Sequence, residues 1–184
     1  SRIREDAGDA GFHAVLGDAY VETQRFTDGA RHLETALRLG DRSAATSNSL
    51  GLAYGGLGRR AEAVVQFKKA AVAAPLDEVF QFNLGRMYAD MSEPAQARVA
   101  YERSLAINPE FPDARVNLAV LLFSQGRRAE ALEHYAKAVQ GSPDSVVILN
   151  NYASALAASG RFSEAMQMVR RALAADPGYQ PAQE

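Results

Sequence analysis

The sequence predicts an all-α solenoid, a stack of helix-turn-helix units in which each unit buries its apolar face only against its neighbours. Three observations carry this. Leu16-Gly17, Leu50-Gly51, Leu84-Gly85, Leu118-Ala119 and Tyr152-Ala153 recur every 34 residues, each pair followed at the same offset by Tyr20, Tyr54, Tyr88, Leu122 or Leu156. Gly29, Ala63, Ala97, Ala131 and Ala165 keep the same register, with Leu33, Phe67, Tyr101, Tyr135 and Val169 four residues on and Ala36, Ala70, Ser104, Ala138 and Ala172 beyond them. Pro75, Pro109, Pro143 and Pro177 close the later copies. Small residues let two helices approach closely, and proline can neither continue a helix nor leave its predecessor helical, so each copy reads as helix, turn, helix, stop.

The first unit spans 10–43 and has Asp41 where later copies have proline. The second, 44–77, turns at Gly58. The third, 78–111, has Ser92 followed by Pro94 in its turn, and the fourth (112–145) and fifth (146–179) turn at Gly126 and Gly160. Residues 1–9 align with the tail of a preceding second helix, since Arg2–Asp9 matches Arg171–Gly178, and 180–184 read as the start of a truncated further unit. The chain is therefore expected to be a fragment of a longer array, with uncapped ends that expose apolar surface and invite homo-oligomerisation.

Composition narrows the function. Lys plus Arg is 20 against Asp plus Glu 22, a net charge of −2, which lacks the basic excess that a phosphate backbone requires, so nucleic acid is not expected as a partner. Cysteine is absent, which removes disulfides and thiolate metal sites but fits cytoplasm and periplasm equally. No apolar run approaches the roughly 20 residues of a membrane span, so no direct membrane insertion is expected.

The repeated Leu-Gly…Tyr, Ala and Pro positions resemble the tetratricopeptide repeat family over residues 10–179. The resemblance implies a right-handed superhelical solenoid of five helix-turn-helix units that displays a binding surface and performs no chemistry. One departure is consistent: the aromatic expected early in each first helix is replaced by His13, Ser47, Gln81, Arg115 and Leu149. In this family the face of the first helices opposite Leu84, Gly85 and Tyr88 lines the concave surface. Spacing puts Val79, Phe82, Arg86, Ala89 and Asp90 there in the third copy. The same register gives Gly11, Ala14, Asp18, Val21 and Glu22, then Ala45, Asn48, Leu52, Gly55 and Gly56. It continues with Asp113, Val116, Val120, Phe123 and Ser124, then Val147, Asn150, Ser154, Ala157 and Ala158.

Valine and phenylalanine are not required by the fold at these places. Val79, Phe82, Val116, Val120 and Phe123 form an apolar patch suited to a partner helix or extended segment, or they pack on one another. Asn83, Asn117 and Asn151 hold one place in three consecutive copies, while Val15 and Ser49 stand there in the first two. A carboxamide matches the donor and acceptor of a peptide bond, so such a row can hold an extended backbone, or it can cap local backbone. The row resembles the asparagine ladder in the repeats of O-GlcNAc transferase, whose substrate peptides lie along it. The family's carboxylate clamp is missing, because Ala14, Asp18, Val79 and Asn83 stand in its charged and amide places. Arg86 alone could meet an acidic group, and Asp90 four residues on is its expected neutraliser.

Other chemistry finds no support. Gly55-Gly56-Leu57-Gly58-Arg59-Arg60 looks like a phosphate loop but lies between two helices with no strand before it. His13, His32 and His134 fall in different copies without metal-ligand spacing, and His32 and His134 are expected in solvent. Arg25, Arg59, Arg60, Arg127, Arg128 and Arg161 line the turns, with Glu62, Glu130 and Glu164 following to neutralise them. No cofactor, metal or catalytic residue is expected. The sequence thus points to a scaffold binding a peptide or protein segment through Asn48, Asn83, Asn117, Asn150, Asn151, Phe82, Arg86, Val116, Val120 and Phe123. Two other readings stay open: a substrate-recruiting arm of a larger enzyme such as a glycosyltransferase, or a self-assembling scaffold.

Overall fold

A computed structural model describes residues 8–178, which form ten α-helices and no strand. The expected remnant of a preceding unit falls mostly on residues 1–7 and the expected start of a further one on 180–184, both outside the described residues. Contacts gather the chain into two compact units, Ser1–Ala100 and Tyr101–Glu184.

The first unit holds α1 (Ala10–Glu22), α2 (Phe26–Arg38), α3 (Ala44–Gly56), α4 (Arg60–Ala73) and α5 (Glu78–Asp90). It ends inside α6 (Pro94–Ile107). Here α1 packs on α2 and α3 on α4, and α2 packs on α3, α4 on α5, and α1 also on α3. The second unit continues with α7 (Pro112–Ser124), α8 (Arg128–Gly141), α9 (Val146–Ala158) and α10 (Phe162–Ala175), packed in consecutive pairs.

Side-chain caps start three of the first helices. Asp9 accepts from Gly11 N at 2.8 Å, Ser43 from Thr46 N at 3.2 Å, and Asp77 from Val79 N at 3.0 Å. Asp41, where later copies have proline, accepts from Ser43 N at 2.7 Å and from the Thr46 hydroxyl, so a carboxylate closes that loop in place of a rigid ring. Burial opposes ionisation of Asp41, but the hydrogen bonds from Thr46 and Ser43 outweigh it and lower its pKa. The helices before Pro75, Pro109, Pro143 and Pro177 end at Ala73, Ile107, Gly141 and Ala175, as the prolines require.

The turn within every unit has one geometry. Gln24, Gly58, Ser92, Gly126 and Gly160 have φ of 59°, 74°, 59°, 78° and 77°. The next residue's N–H reaches back to Tyr20, Tyr54, Tyr88, Leu122 or Leu156 O at 2.8–3.0 Å, the Schellman closure. The left-handed position is thus fixed by the period and met by glycine in three units only.

Apolar register positions form the cores. Leu33, Leu50, Ala53, Ala63, Phe67 and Leu84 cluster in the first unit. Leu132, Tyr135 and Leu156 form one cluster in the second, and Ala138, Ile148, Leu149 and Ala172 another. The vacated aromatic place has its own consequence. His13 and its partner place on the second helix, His32, bring Nδ1 to Nδ1 at 2.8 Å with the rings 5.0 Å apart. The same two places hold Ser47 and Gln66, Gln81 and Ala100, Arg115 and His134, and Leu149 and Met168. Among the described residues, the buried side-chain atoms without a hydrogen-bond partner, Gln66 Oε1, Gln81 Oε1 and His134 Nδ1, all lie at these places. His32 and His134 are therefore partly buried, contrary to the expectation that they lie in solvent, and burial is the main cause that lowers the pKa of each.

Candidate functional site

In the first unit the groove-register residues of α1, α3 and α5 come together around a cleft of about 540 Å³. Val21, Leu52 and Met87 give it apolar walls, and Phe26, the first residue of α2, closes one side. A Cβ on Gly56 would fall on the Phe26 ring, so the missing side chain at that place is what lets the ring lie against α3. Glu22, Arg86 and Asp90 stand around the cleft. Arg86 is exposed, lies 5.8 Å from the centre of the Phe82 ring and makes no ion pair with any described residue, Asp90 included. The expected neutralisation by Asp90 does not occur.

Two residues expected on the groove surface lie deeper than the others: Phe82 is 8% exposed and Asn83 7%, and Asn83 lines the cleft from this depth. Asn83 donates its Nδ2–H to Asn48 Oδ1 at 2.9 Å, which joins two candidate carboxamides to each other. Val79 remains exposed.

In the second unit Val120 is 48% exposed, while Val116 and Phe123 are half-buried against the core of α7 to α10. The Arg128 guanidinium lies 5.8 Å from the centre of the Phe123 ring. Asn117, Asn150 and Asn151 are partly exposed, and their carboxamides bond to no described residue. The contrast with Asn83 follows from register. Asn48 precedes Asn83 by 35 residues, whereas the residue 35 before Asn151 is Val116, which offers no acceptor.

Four of the six turn arginines are closed by their own carboxylates, Arg25–Asp28 at 2.7 Å, Arg59–Glu62 at 2.5 Å, and Arg127–Glu130 and Arg161–Glu164 at 2.6 Å, whereas Arg60 and Arg128 make no ion pair with any described residue. In the first of these, sequence inspection missed Asp28, the equivalent of the later glutamates. Arg59 also covers the Tyr54 ring at 4.0 Å, and the Tyr54 hydroxyl donates to Glu34 at 2.8 Å. Burial, then the Glu34 bond and charge, push the Tyr54 pKa up to about 12. No group of three or more potential ligands for a metal occurs among the described residues, and no described helix is long and apolar enough to cross a membrane.

Solved structures share this fold. A structure of MamA superposes with a TM-score of 0.78 at 23% identity, covering 88% of this chain and 95% of that one. YrrB, described as a TPR protein with an unusual peptide-binding site, gives 0.73 at 21% identity over 97% and 92%. PilW, a widely conserved type IV pilus biogenesis factor, gives 0.86 at 22% over 97% and 83%. Comparison with curated proteins finds no match. Two family models described as tetratricopeptide repeat match residues 15–78 and 82–146, and 122–184. The 34-residue period, the helix pairs and these matches agree, and the chain belongs to the tetratricopeptide repeat family.

Proposed function

We propose that the chain is a protein-interaction scaffold that holds a peptide or protein segment against the groove-register face of its first helices. The observation that carries this is the cleft of about 540 Å³ between α1, α3 and α5, apolar inside and bordered by an Arg86 left without a counter-ion. An apolar anchor with an acidic neighbour or a terminal carboxylate matches that chemistry. The unpaired carboxamides of Asn117, Asn150 and Asn151 add sites for a peptide backbone, and Val120 and Phe123 add apolar contact. A peptide-binding site in YrrB, a protein of the same fold, is in line with this reading. Four clasped turn arginines and a net charge of −2 argue against a nucleic-acid track, and the reading needs no cofactor and assigns no catalytic residue.

One alternative has its own support: the free Asn117 and Asn151 resemble the asparagine ladder of O-GlcNAc transferase, which would make the chain the substrate-recruiting arm of a larger enzyme such as a glycosyltransferase. Self-assembly is the third reading, supported by exposed Phe162, Met166 and Leu173 on α10.

The test is a peptide-array measurement on wild type, Arg86→Ala, Asn117→Ala and Phe123→Ala. Arg86→Ala should weaken acidic peptides selectively, and Asn117→Ala should weaken binding with little regard to sequence. Binding unchanged in all three variants, or absent in wild type, would sink the groove reading, and a concentration-dependent mass in sedimentation would then favour self-assembly.

A further inference from the structure

The fourth unit carries charge where the fifth carries core. Leu149 on α9 is fully buried and Met168 on α10 packs against it, and the equivalent places in the fourth unit are Arg115 on α7 and His134 on α8. A guanidinium and an imidazole stand there in place of two packed side chains. They border an open cavity of about 590 Å³ lined by Arg115, His134, Lys137, Gln140, Gly141 and Glu110, among others, of which Lys137, Gln140, Gly141 and Glu110 are exposed.

Its charges are not cancelled internally. Arg115 and Lys137 make no ion pair with any described residue, and Arg115 donates only to the carbonyl oxygen of Pro109. Glu110, beside Gly141, is the one carboxylate in the lining, so two cations face one anion before His134 is counted. His134 Nδ1 is sealed from solvent without a partner. A buried unpaired acceptor is more tolerable than a buried unpaired donor, which favours the tautomer with its proton on Nε2, as a further donor. No other unit combines three such groups: the places of Arg115, His134 and Lys137 hold His13, His32 and Thr35, then Ser47, Gln66 and Lys69, then Gln81, Ala100 and Arg103, and Leu149, Met168 and Arg171.

We propose that this cavity between α7 and α8 is an oxyanion-binding site for a phosphate group, held by the Arg115 fork, the Lys137 ammonium and His134 Nε2–H. Guanidinium and ammonium groups that lack a protein counter-ion, set in a recess beside a neutral imidazole, have the chemistry that phosphate oxygens require. The state of His134 agrees: burial first, and then the Arg115 and Lys137 charges, lower its pKa, with Glu133 and Glu130 acting the other way. An anion in the cavity would reverse the effect of those two cations.

The experiment is an NMR titration of the three histidine rings of the full chain with inorganic phosphate, against sodium chloride of equal ionic strength. Phosphate should raise the His134 midpoint saturably, by about one pH unit, as a nearby opposite charge does, while His13 and His32 hold still. Arg115→Leu, which gives this place the residue of the fifth unit, should keep native helicity and lose the phosphate response. Lys137→Gln should weaken it several-fold. An equal shift in chloride, no shift in phosphate, or an undiminished response in Arg115→Leu would overturn the assignment.

Discussion

Asn83 on α5 donates its Nδ2–H to Oδ1 of Asn48 on α3 at 2.9 Å, so a carboxamide pair ties the first helices of two successive units together. Asn83 is the buried member. Asn83→Ala leaves Asn48 without its donor and opens a void, at a cost on the order of 1–2 kcal/mol. Asn48→Ala with Asn83→Leu, which removes both polar ends, should cost less than the single change. Urea unfolding of the variants measures the difference, and equal losses would deny the pair its role.

Gln24 and Ser92 hold left-handed turns that glycine fills in three other units. A side chain there costs about 1–2 kcal/mol, partly offset by the chain entropy that glycine loses. Both residues are exposed, so Gln24→Gly and Ser92→Gly should each stabilise by up to about 1 kcal/mol and raise Tm by about 2–4 °C. Gly126→Ala should do the opposite. Thermal melts decide, and a lower Tm for both glycine variants would refute the prediction.

Burial of His32, and then the charge of His13 beside it, predict acid sensitivity. The folded pKa of His32 is lowered from 6.5, so its unfolded form binds the proton more readily. Its stabilisation is complete above about pH 6.5 and is lost as pH falls towards the folded pKa. Asp41, also lowered, adds a loss of the same sign below about pH 4. The double variant His13→Leu, His32→Met, which copies Leu149 and Met168, should shrink the fall in Tm between pH 7 and pH 5. His134, whose pKa is also lowered, remains as a second source. An unchanged pH slope would show that the pair does not carry it.

At the alkaline end Tyr54 and Tyr135 titrate near 12, Tyr54 through burial and Glu34, Tyr135 through burial alone. A raised tyrosine pKa stabilises below the unfolded value of about 10, and the contribution disappears as pH climbs towards 12. Glu34→Gln should lower the Tyr54 midpoint and leave Tyr135 in place. Ultraviolet phenolate titration reads both, and equal shifts at the two tyrosines would contradict the local origin.

Helix pairs, turn positions and proline stops were legible in the sequence because each is imposed once per period by backbone sterics. What spacing could not supply was depth. Phe82 and Arg86 share a helical face, yet one is buried and the other exposed, because the neighbouring helices cover only part of that face. Asn83 looked equivalent to Asn117 and Asn151, but only Asn83 has an asparagine 35 residues before it. That signal was present in the sequence as a cross-unit spacing and was overlooked by alignment within units. The aromatic vacancies at Ser47, Gln81 and Arg115 were visible too, although only packing reveals that they leave the buried polar atoms of Gln66, Gln81 and His134 behind.

The arginine–carboxylate clasps at the turns have a kinetic consequence. Each clasp is a compact dipole whose field fades within a short distance, and the chain's net charge of −2 adds little beyond it. A partner approaching through solution meets no long-range guidance, so association should run at the unsteered rate of about 10⁵–10⁶ M⁻¹s⁻¹ and change little with ionic strength. Discrimination between partners then resides in how long they stay, and only cations left open at close range, such as Arg86, have a say in that.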